Sequence, residues 1–63
     1  MIYTREILIK SVVAEEMRSF DGNEYTERLK NTYHKWEHAS SYDLCKRYGE
    51  LTSVQLTVDA LTS

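Results

Sequence analysis

Side chains suited to a buried face recur at intervals of three or four positions through the second half of this 63-residue chain. The series runs Tyr25, Leu29, Tyr33, Trp36, Ser40, Leu44, Tyr48 and Leu51. An α-helix has about 3.6 residues per turn, so this spacing places the whole series along one side of a helix. Because a helix with one apolar side must bury it against another element, the series predicts an all-α fold of packed helices.

Another helix is predicted in the first half of the chain. Its apolar residues share one arc at about 100° per residue, and they are Leu8, Ile9, Val12, Val13, Met17 and Phe20. Thr4 can cap this helix through its hydroxyl, and Asp21-Gly22-Asn23 predicts a left-handed stop. We therefore place the first helix at residues 5–20. Its β-branched residues would also suit a strand, but the apolar spacing of three and four favours the helix.

The length of the second helix depends on Ser40-Ser41. Asn23 can cap its start, and a continuous helix over residues 24–48 would rise about 37 Å, which suits a hairpin or a dimer. Alternatively, a serine cap followed by Asp43 in the first turn would begin a new helix at this point. We favour the continuous helix and keep the break as the alternative.

The residues after Gly49 can form a short last helix. Thr52 and Gln55 match a capping box, and the apolar residues recur at helical spacing as Leu51, Val54, Val58 and Leu61. Residues 54–58 also alternate between apolar and polar side chains, as in a strand. A single strand would have no partner here, so we favour the helix.

The predicted fold is one small all-α domain over residues 1–63, in which a helical hairpin of two long helices is followed by the short C-terminal helix. A chain of this size buries only about 60% of the surface that its unfolded form exposes, so a second copy would add burial that the fold needs. Tyr and Trp are also enriched at protein interfaces. We predict a homodimer whose interface is formed by Ile9, Val13, Phe20, Leu29, Tyr33, Trp36, Leu44 and Tyr48.

Composition argues against several function classes. The formal net charge is −2, whereas affinity for nucleic acid comes largely from Lys and Arg, so general nucleic-acid binding is not expected. No uninterrupted apolar run exceeds three residues, far short of the roughly 20 that cross a bilayer. With a lone cysteine, Cys45, and no signal-peptide pattern, we expect a cytoplasmic protein without membrane contact. No catalytic signature is complete, so we expect no enzyme activity.

Residues 34–38 read His-Lys-Trp-Glu-His. In those positions alone they resemble inverted zinc peptidases, where two histidines one turn apart bind zinc and the glutamate activates water. Such an enzyme also needs a ligand from a distant helix and a cleft that 63 residues can scarcely enclose. Cys45 would lie about 10 Å beyond His38 on a continuous helix. We therefore predict no metal and no other cofactor, and the candidate ligands, should one bind, are His34, His38 and Cys45.

Residues 44–49, Leu-Cys-Lys-Arg-Tyr-Gly, resemble the first helix and glycine turn of a helix-turn-helix motif, with residues 51–61 as its second helix. The resemblance implies that this second helix would contact DNA. It contains no Lys or Arg and carries Asp59, although phosphate and guanine contacts normally require such cations. A small DNA-binding regulator that uses residues 42–61 is therefore the alternative function.

The chain as a whole is similar in its length and its general sequence character to the short helical accessory proteins of the lambdoid bacteriophage early region. The similarity lies in its length, in the positions of Gly22 and Gly49 at the boundaries between predicted helices, and in the lack of enzyme motifs. It implies modulation of host or phage development through protein contacts in the host cytoplasm, and it assigns a role to no single residue. We predict a non-enzymatic protein-protein interaction module or small regulatory protein that binds itself and an unidentified host or phage protein.

Overall fold

The computed structural model describes residues 3–62 and has an all-α architecture built on three helices. In chain order the elements are strand β1 (Tyr3–Thr4), helix α1 (Arg5–Met17), helix α2 (Tyr25–Glu37), helix α3 (Ser41–Thr52), a 3-10 helix (Val58–Ala60) and strand β2 (Leu61–Thr62). The all-α prediction is confirmed, but three helices of 12 or 13 residues replace the predicted hairpin of two long ones. None of the helices described has the length and apolarity to cross a membrane.

Helix α1 begins where the sequence predicts and ends earlier. The Thr4 Oγ1 accepts the backbone N–H of Ile7 at 3.1 Å, which confirms Thr4 as the N-cap. The helix ends at Met17 instead of residue 20. Gly22 does not have a positive φ, so the predicted left-handed stop is wrong. A Cβ on Gly22 would lie 2.8 Å from the tip of the Phe20 ring, so a larger residue at this position would require that ring to shift.

The start of α2 is positioned by ring packing. Its N-cap residue is Glu24, whose side chain makes no capping hydrogen bond, so the prediction that Asn23 caps this helix is wrong. The rings of Phe20 and Tyr25 have centroids 6.1 Å apart, and the Arg28 guanidinium lies 5.8 Å from the Phe20 centroid. These contacts connect the turn after α1 to the first turn of α2.

A serine cap separates α2 from α3. The Ser40 Oγ accepts the backbone N–H of Asp43 at 3.1 Å and begins α3, whereas α2 has already ended at Glu37. The favoured prediction of one helix over residues 24–48 is therefore wrong, and the alternative break at Ser40-Ser41 is confirmed. The cap satisfies a backbone donor locally that a continuous helix would satisfy through its own carbonyls.

Arg5 holds the corner between these two helices. Its guanidinium donates to the Ser41 Oγ at 3.2 Å, to the Glu37 carbonyl at 3.0 Å, and also to the Ala39 carbonyl. The last carbonyls of a helix have no partner within it. One side chain from α1 therefore satisfies the end of α2 and contacts the start of α3.

The chain after α3 is mostly irregular. Gly49 lies inside α3, and the C-cap residue that follows the helix, Ser53, has a left-handed conformation with φ of 64°. The Thr52 hydroxyl donates to the Tyr48 carbonyl at 2.7 Å and accepts the N–H of Val54 at 3.2 Å. The predicted capping box therefore does not form, and the predicted last helix is reduced to the 3-10 helix at Val58–Ala60.

A two-residue parallel pairing joins the two ends of the described chain. Tyr3 pairs with Leu61, and Thr4 pairs with Thr62. The expectation that a C-terminal strand would lack a partner is therefore wrong, because β1 supplies one. The alternative strand at residues 54–58 does not form either, since the pairing segment begins only at Leu61.

The core has α1 at its centre, packed against both α2 and α3. The buried residues that form it are Leu8, Ile9, Val12, Val13, Met17, Trp36, Leu44, Cys45 and Tyr48. Those from α1 confirm the apolar arc predicted for the first helix, apart from the half-buried Phe20. Of the longer series, α2 buries Trp36 while α3 buries Leu44 and Tyr48. The two halves of that series therefore reach one core from separate helices.

Candidate functional site

The side chains predicted as a dimer interface lie in or beside the core of a single chain. Those that are buried there are Ile9, Val13, Trp36, Leu44 and Tyr48, and those half-buried against it are Phe20, Leu29 and Tyr33. The first group is covered without a second chain, so it stabilises the monomer. The second group lies where the core meets solvent, and the homodimer stays a prediction.

Glu16 links the three helices. Its carboxylate accepts a hydrogen bond from the Trp36 indole N–H of α2, and it accepts two from Arg47 of α3, from Nη2 at 3.1 Å and from Nε at 3.3 Å. A buried indole N–H needs such a partner. No sequence pattern indicates this role, because the three residues are far apart along the chain and their pairing depends on the fold.

Tyr48 closes the core toward the start of the chain. Its hydroxyl oxygen lies 3.2 Å from that of Tyr3, and the two rings meet edge to face with centroids 5.8 Å apart. The hydrogen bond with Tyr3, together with burial, raises the pKa of Tyr48 above its ordinary value of 10.0. The hydroxyl is therefore neutral near pH 7 and serves packing.

A groove of about 620 Å³ runs between α3 and the segment that follows it. Its lining comes from Tyr42, Cys45, Lys46, Gly49, Glu50, Ser53, Gln55, Leu56, Thr57 and Val58. We call it the α3 groove. It forms because Ser53 turns the chain back along α3 and because Gly49 has no side chain to fill the space between them.

The apolar walls of the α3 groove are open to solvent. Tyr42 is 67% exposed and Val58 is 44% exposed, one on each side. Lys46 and Glu50 contribute one charge of each sign. Exposed apolar side chains gathered round a concave surface mark sites of interaction.

The α3 groove has little capacity for nucleophilic chemistry. Burial raises the pKa of the Cys45 thiol above its ordinary value of 9.0, so the thiol is protonated near neutral pH, and the thiolate is the reactive form. The residues that line the groove include no histidine that could take its proton. This arrangement can bind an apolar group.

The three candidate metal ligands are divided by the fold. His34 and His38 come together with Glu37 at the end of α2, and the possible ligand atoms of these three lie within 4.8 Å of one another. Cys45 is only 6% exposed and belongs to the core and the floor of the α3 groove. The cysteine therefore does not join the histidines, whereas Glu37 does.

The helix-turn-helix arrangement expected over residues 44–61 does not form. Gly49 is within α3 and makes no turn, and residues 53–57 contain no helix. Arg47 is paired with Glu16 at 3.1 Å and with Glu50 at 3.4 Å. The structural basis expected for DNA recognition is therefore absent from the described residues 42–61, while binding to DNA itself stays a prediction.

The sequence patterns do not identify Tyr42, Leu56 or Val58 as groove residues. Tyr42 lies outside the apolar series that defines the buried side of α3, which is the signal that it faces solvent. Leu56 and Val58 lie in a segment whose path depends on the left-handed conformation of Ser53. No glycine or asparagine stands at that position to predict such a turn. Only the fold brings them opposite Tyr42.

Comparison of the chain with protein-family models, with curated proteins and with solved structures finds no match. What the chain binds has to be inferred from the geometry of its described residues.

Proposed function

We propose that this protein is a non-enzymatic protein-binding module whose binding surface is the α3 groove. The observation that carries the proposal is the exposed Tyr42 at the edge of an apolar concavity, with Val58 on the opposite wall. Tyrosine offers a large apolar area with a polar tip and is enriched where proteins meet. The groove holds no activated nucleophile, which favours binding over catalysis.

The occupant is an apolar side chain of a partner protein, together with the backbone beside it. Binding sites for small groups range from about 300 to 1,000 Å³, and the α3 groove has about 620 Å³. Cys45, Leu56 and Val58 give it apolar walls, whereas Lys46 and Glu50 provide polar groups at its edge. An aromatic or branched aliphatic anchor flanked by polar residues fits this pattern.

Such binding is consistent with the regulatory role that the resemblance to phage accessory proteins implies, namely modulation of host or phage development by protein contact. The partner is then a host or phage protein, or a second copy of this chain. A DNA-binding regulator is less well supported, since α3 commits Arg47 to ion pairs with Glu16 and Glu50.

The test is a selection of random peptides displayed on phage against the folded protein. We expect enriched peptides to share one apolar anchor and to shift the amide resonances of Tyr42, Leu56 and Val58. Tyr42→Ala should weaken their binding at least about tenfold, which corresponds to the 1.4 kcal/mol that a truncated interface aromatic commonly costs. The matched control is Ile7→Ala, because Ile7 is also an exposed apolar residue on a helix but does not line the groove.

A pair of variants at Gly49 tests the groove without disturbing the core. A Cβ there would lie 3.5 Å from the Val54 carbonyl oxygen, an ordinary contact. Gly49→Ala should stabilise α3 by about 1 kcal/mol and keep peptide binding, whereas Gly49→Leu should fill the groove and abolish it. Peptides that map elsewhere, or that bind Gly49→Leu and Tyr42→Ala as tightly as the wild type, would contradict the proposal.

Two further measurements distinguish the kinds of partner. Light scattering at two concentrations would identify a second copy as the occupant if the mass approaches twice 7.4 kDa and Tyr42→Ala restores the monomer. Binding to duplex DNA that falls steeply with salt and is unchanged in Tyr42→Ala would overturn the proposal in favour of the DNA-binding regulator.

A further inference from the structure

We propose that His34, Glu37 and His38 form a binding site for a divalent transition-metal ion of the zinc class. The three lie on the exposed side of α2 at its C-terminal end, away from the α3 groove. The site does not depend on the function proposed for that groove.

Helical spacing brings the three side chains together. Residues three and four apart lie on the same face of a helix, and the rings of His34 and His38 meet edge to face with centroids 4.6 Å apart. The His34 Nδ1 is 3.8 Å from a Glu37 carboxylate oxygen. All three ligand atoms fall within 4.8 Å of one another.

Closing these atoms round one ion requires their separations, which reach 4.8 Å at most, to shorten by up to about 1.4 Å. Zinc binds nitrogen and oxygen at about 2.0–2.2 Å, so tetrahedral ligand atoms lie roughly 3.4 Å apart. The side chains of His34 and Glu37 are 74% and 52% exposed, so they can rotate inward without breaking core packing. Trp36, which precedes Glu37 in the chain, is buried and anchors α2 in the core.

The donor set selects the class of ion. Two imidazole nitrogens and one carboxylate oxygen suit zinc, nickel or copper, whereas magnesium and calcium prefer oxygen ligands throughout. Three protein ligands leave at least one coordination position open, which water or a donor from another molecule would complete.

The backbone that carries two of the ligands is fixed by α1. The Arg5 guanidinium donates to the carbonyls of Glu37 and Ala39, which flank His38. The Lys35 ammonium is directed over the Trp36 ring, 5.0 Å from its centroid. The backbone at Glu37 and His38 is therefore held in place before an ion binds, and this lowers the entropy cost of binding.

The test is calorimetric titration of the untagged full chain with zinc chloride, because a histidine tag would supply competing ligands. We expect one ion per chain and a rise in melting temperature with added zinc. His34→Ala and His38→Ala should each weaken binding at least about tenfold, since each removes a ligand. All three ligand side chains are exposed, so these variants should retain the wild-type circular dichroism spectrum.

Two control variants test whether a carboxylate or a thiol outside this site contributes to zinc binding. Glu27→Gln changes another exposed carboxylate of α2, and Cys45→Ala removes the thiol. Both should bind zinc as the wild type does, and cobalt bound in place of zinc should give no thiolate charge-transfer absorption. Loss of binding in Cys45→Ala, equal binding in the two histidine variants and the wild type, or no saturable binding would each overturn the proposal.

Discussion

The hydroxyl of Tyr48 shows how one buried group makes stability depend on pH. Its pKa is raised by the hydrogen bond with Tyr3 and by burial, so the neutral form is favoured in the folded state. A group whose folded pKa exceeds its unfolded value contributes stability that is complete below the unfolded pKa and is lost as pH rises through the folded pKa. For Tyr48 that loss begins near pH 10.0.

We expect the free energy of unfolding to fall more steeply above about pH 10 in a chain that keeps Tyr48 than in the same chain with Tyr48→Phe. The measurement is urea unfolding at a series of pH values, with both proteins in a Cys45→Ala background, because the raised thiol pKa acts in the same direction. Tyr42→Phe is the control, because it changes an exposed tyrosine and leaves the hydrogen bond between Tyr48 and Tyr3 in place. The free energy of unfolding of this variant should therefore still fall steeply above about pH 10. Equal slopes for Tyr48→Phe and its parent would show that Tyr48 does not contribute.

At the scale of elements, the corner between α2 and α3 shows where a local signal overrides a longer pattern. The apolar series continues through Ser40 because Trp36 and Leu44 both face α1, although they belong to different helices. Periodicity therefore predicts one helix, and the choice between a continuous and a broken helix depends on the Ser40 cap.

Ser40→Ala should lower the free energy of unfolding by about 1 kcal/mol, the usual cost of losing a serine N-cap. The change removes the acceptor of the Asp43 N–H. Ser11→Ala is the matched control, because the Ser11 hydroxyl only donates to the Ile7 carbonyl within α1. Chemical denaturation measures both variants, and an equal loss in the two would contradict a specific role for the cap.

An element can be predicted from the sequence when local patterns determine it, and cannot when contacts between distant residues determine it. Thr4 and the apolar arc of α1 are local patterns, and both are correct. The C-terminal segment carries helical and strand patterns at once, and its path is decided by a left-handed Ser53 and by pairing with β1. Contacts between distant parts of the chain leave no periodic trace in the sequence.

For the molecule as a whole, Trp36 is the residue on which the packing of α2 depends, because it is the buried residue of that helix. Trp36→Ala should lower the free energy of unfolding by about 3 kcal/mol or more. It removes the indole from the core and deprives Glu16 of a hydrogen-bond donor.

Because a domain of this size has little stability to lose, Trp36→Ala can unfold completely, and Trp36→Phe provides a graded second variant. It keeps an aromatic ring in the core but removes the indole N–H and part of the ring volume, so a loss smaller than that of Trp36→Ala is expected, of about 1–3 kcal/mol. Thermal and urea unfolding measure both. Melting curves that coincide with the wild type would contradict the placement of Trp36 in the core.

The candidate site at this scale was only partly predictable. The pairing of His34 with His38 follows from helical spacing, and Glu37 was present in the same motif. The α3 groove was not predictable, because it consists of space between α3 and a segment that the sequence assigns to a helix. A concavity depends on the path of two segments at once, and side-chain type alone does not fix that path.

The short pairing of β1 with β2 carries a consequence for the order in which the molecule assembles. It joins Tyr3 to Leu61, so forming it first would close a loop of nearly the whole chain, at a cost of about 4 kcal/mol in chain entropy. Two residue pairs cannot offset that cost, and the pairing is therefore expected to form only after the three helices have packed. Residues 53–58 lie between α3 and the strand β2 that pairs with β1. A partner bound in the α3 groove would contact this segment, and it would therefore also slow the separation of β1 from β2.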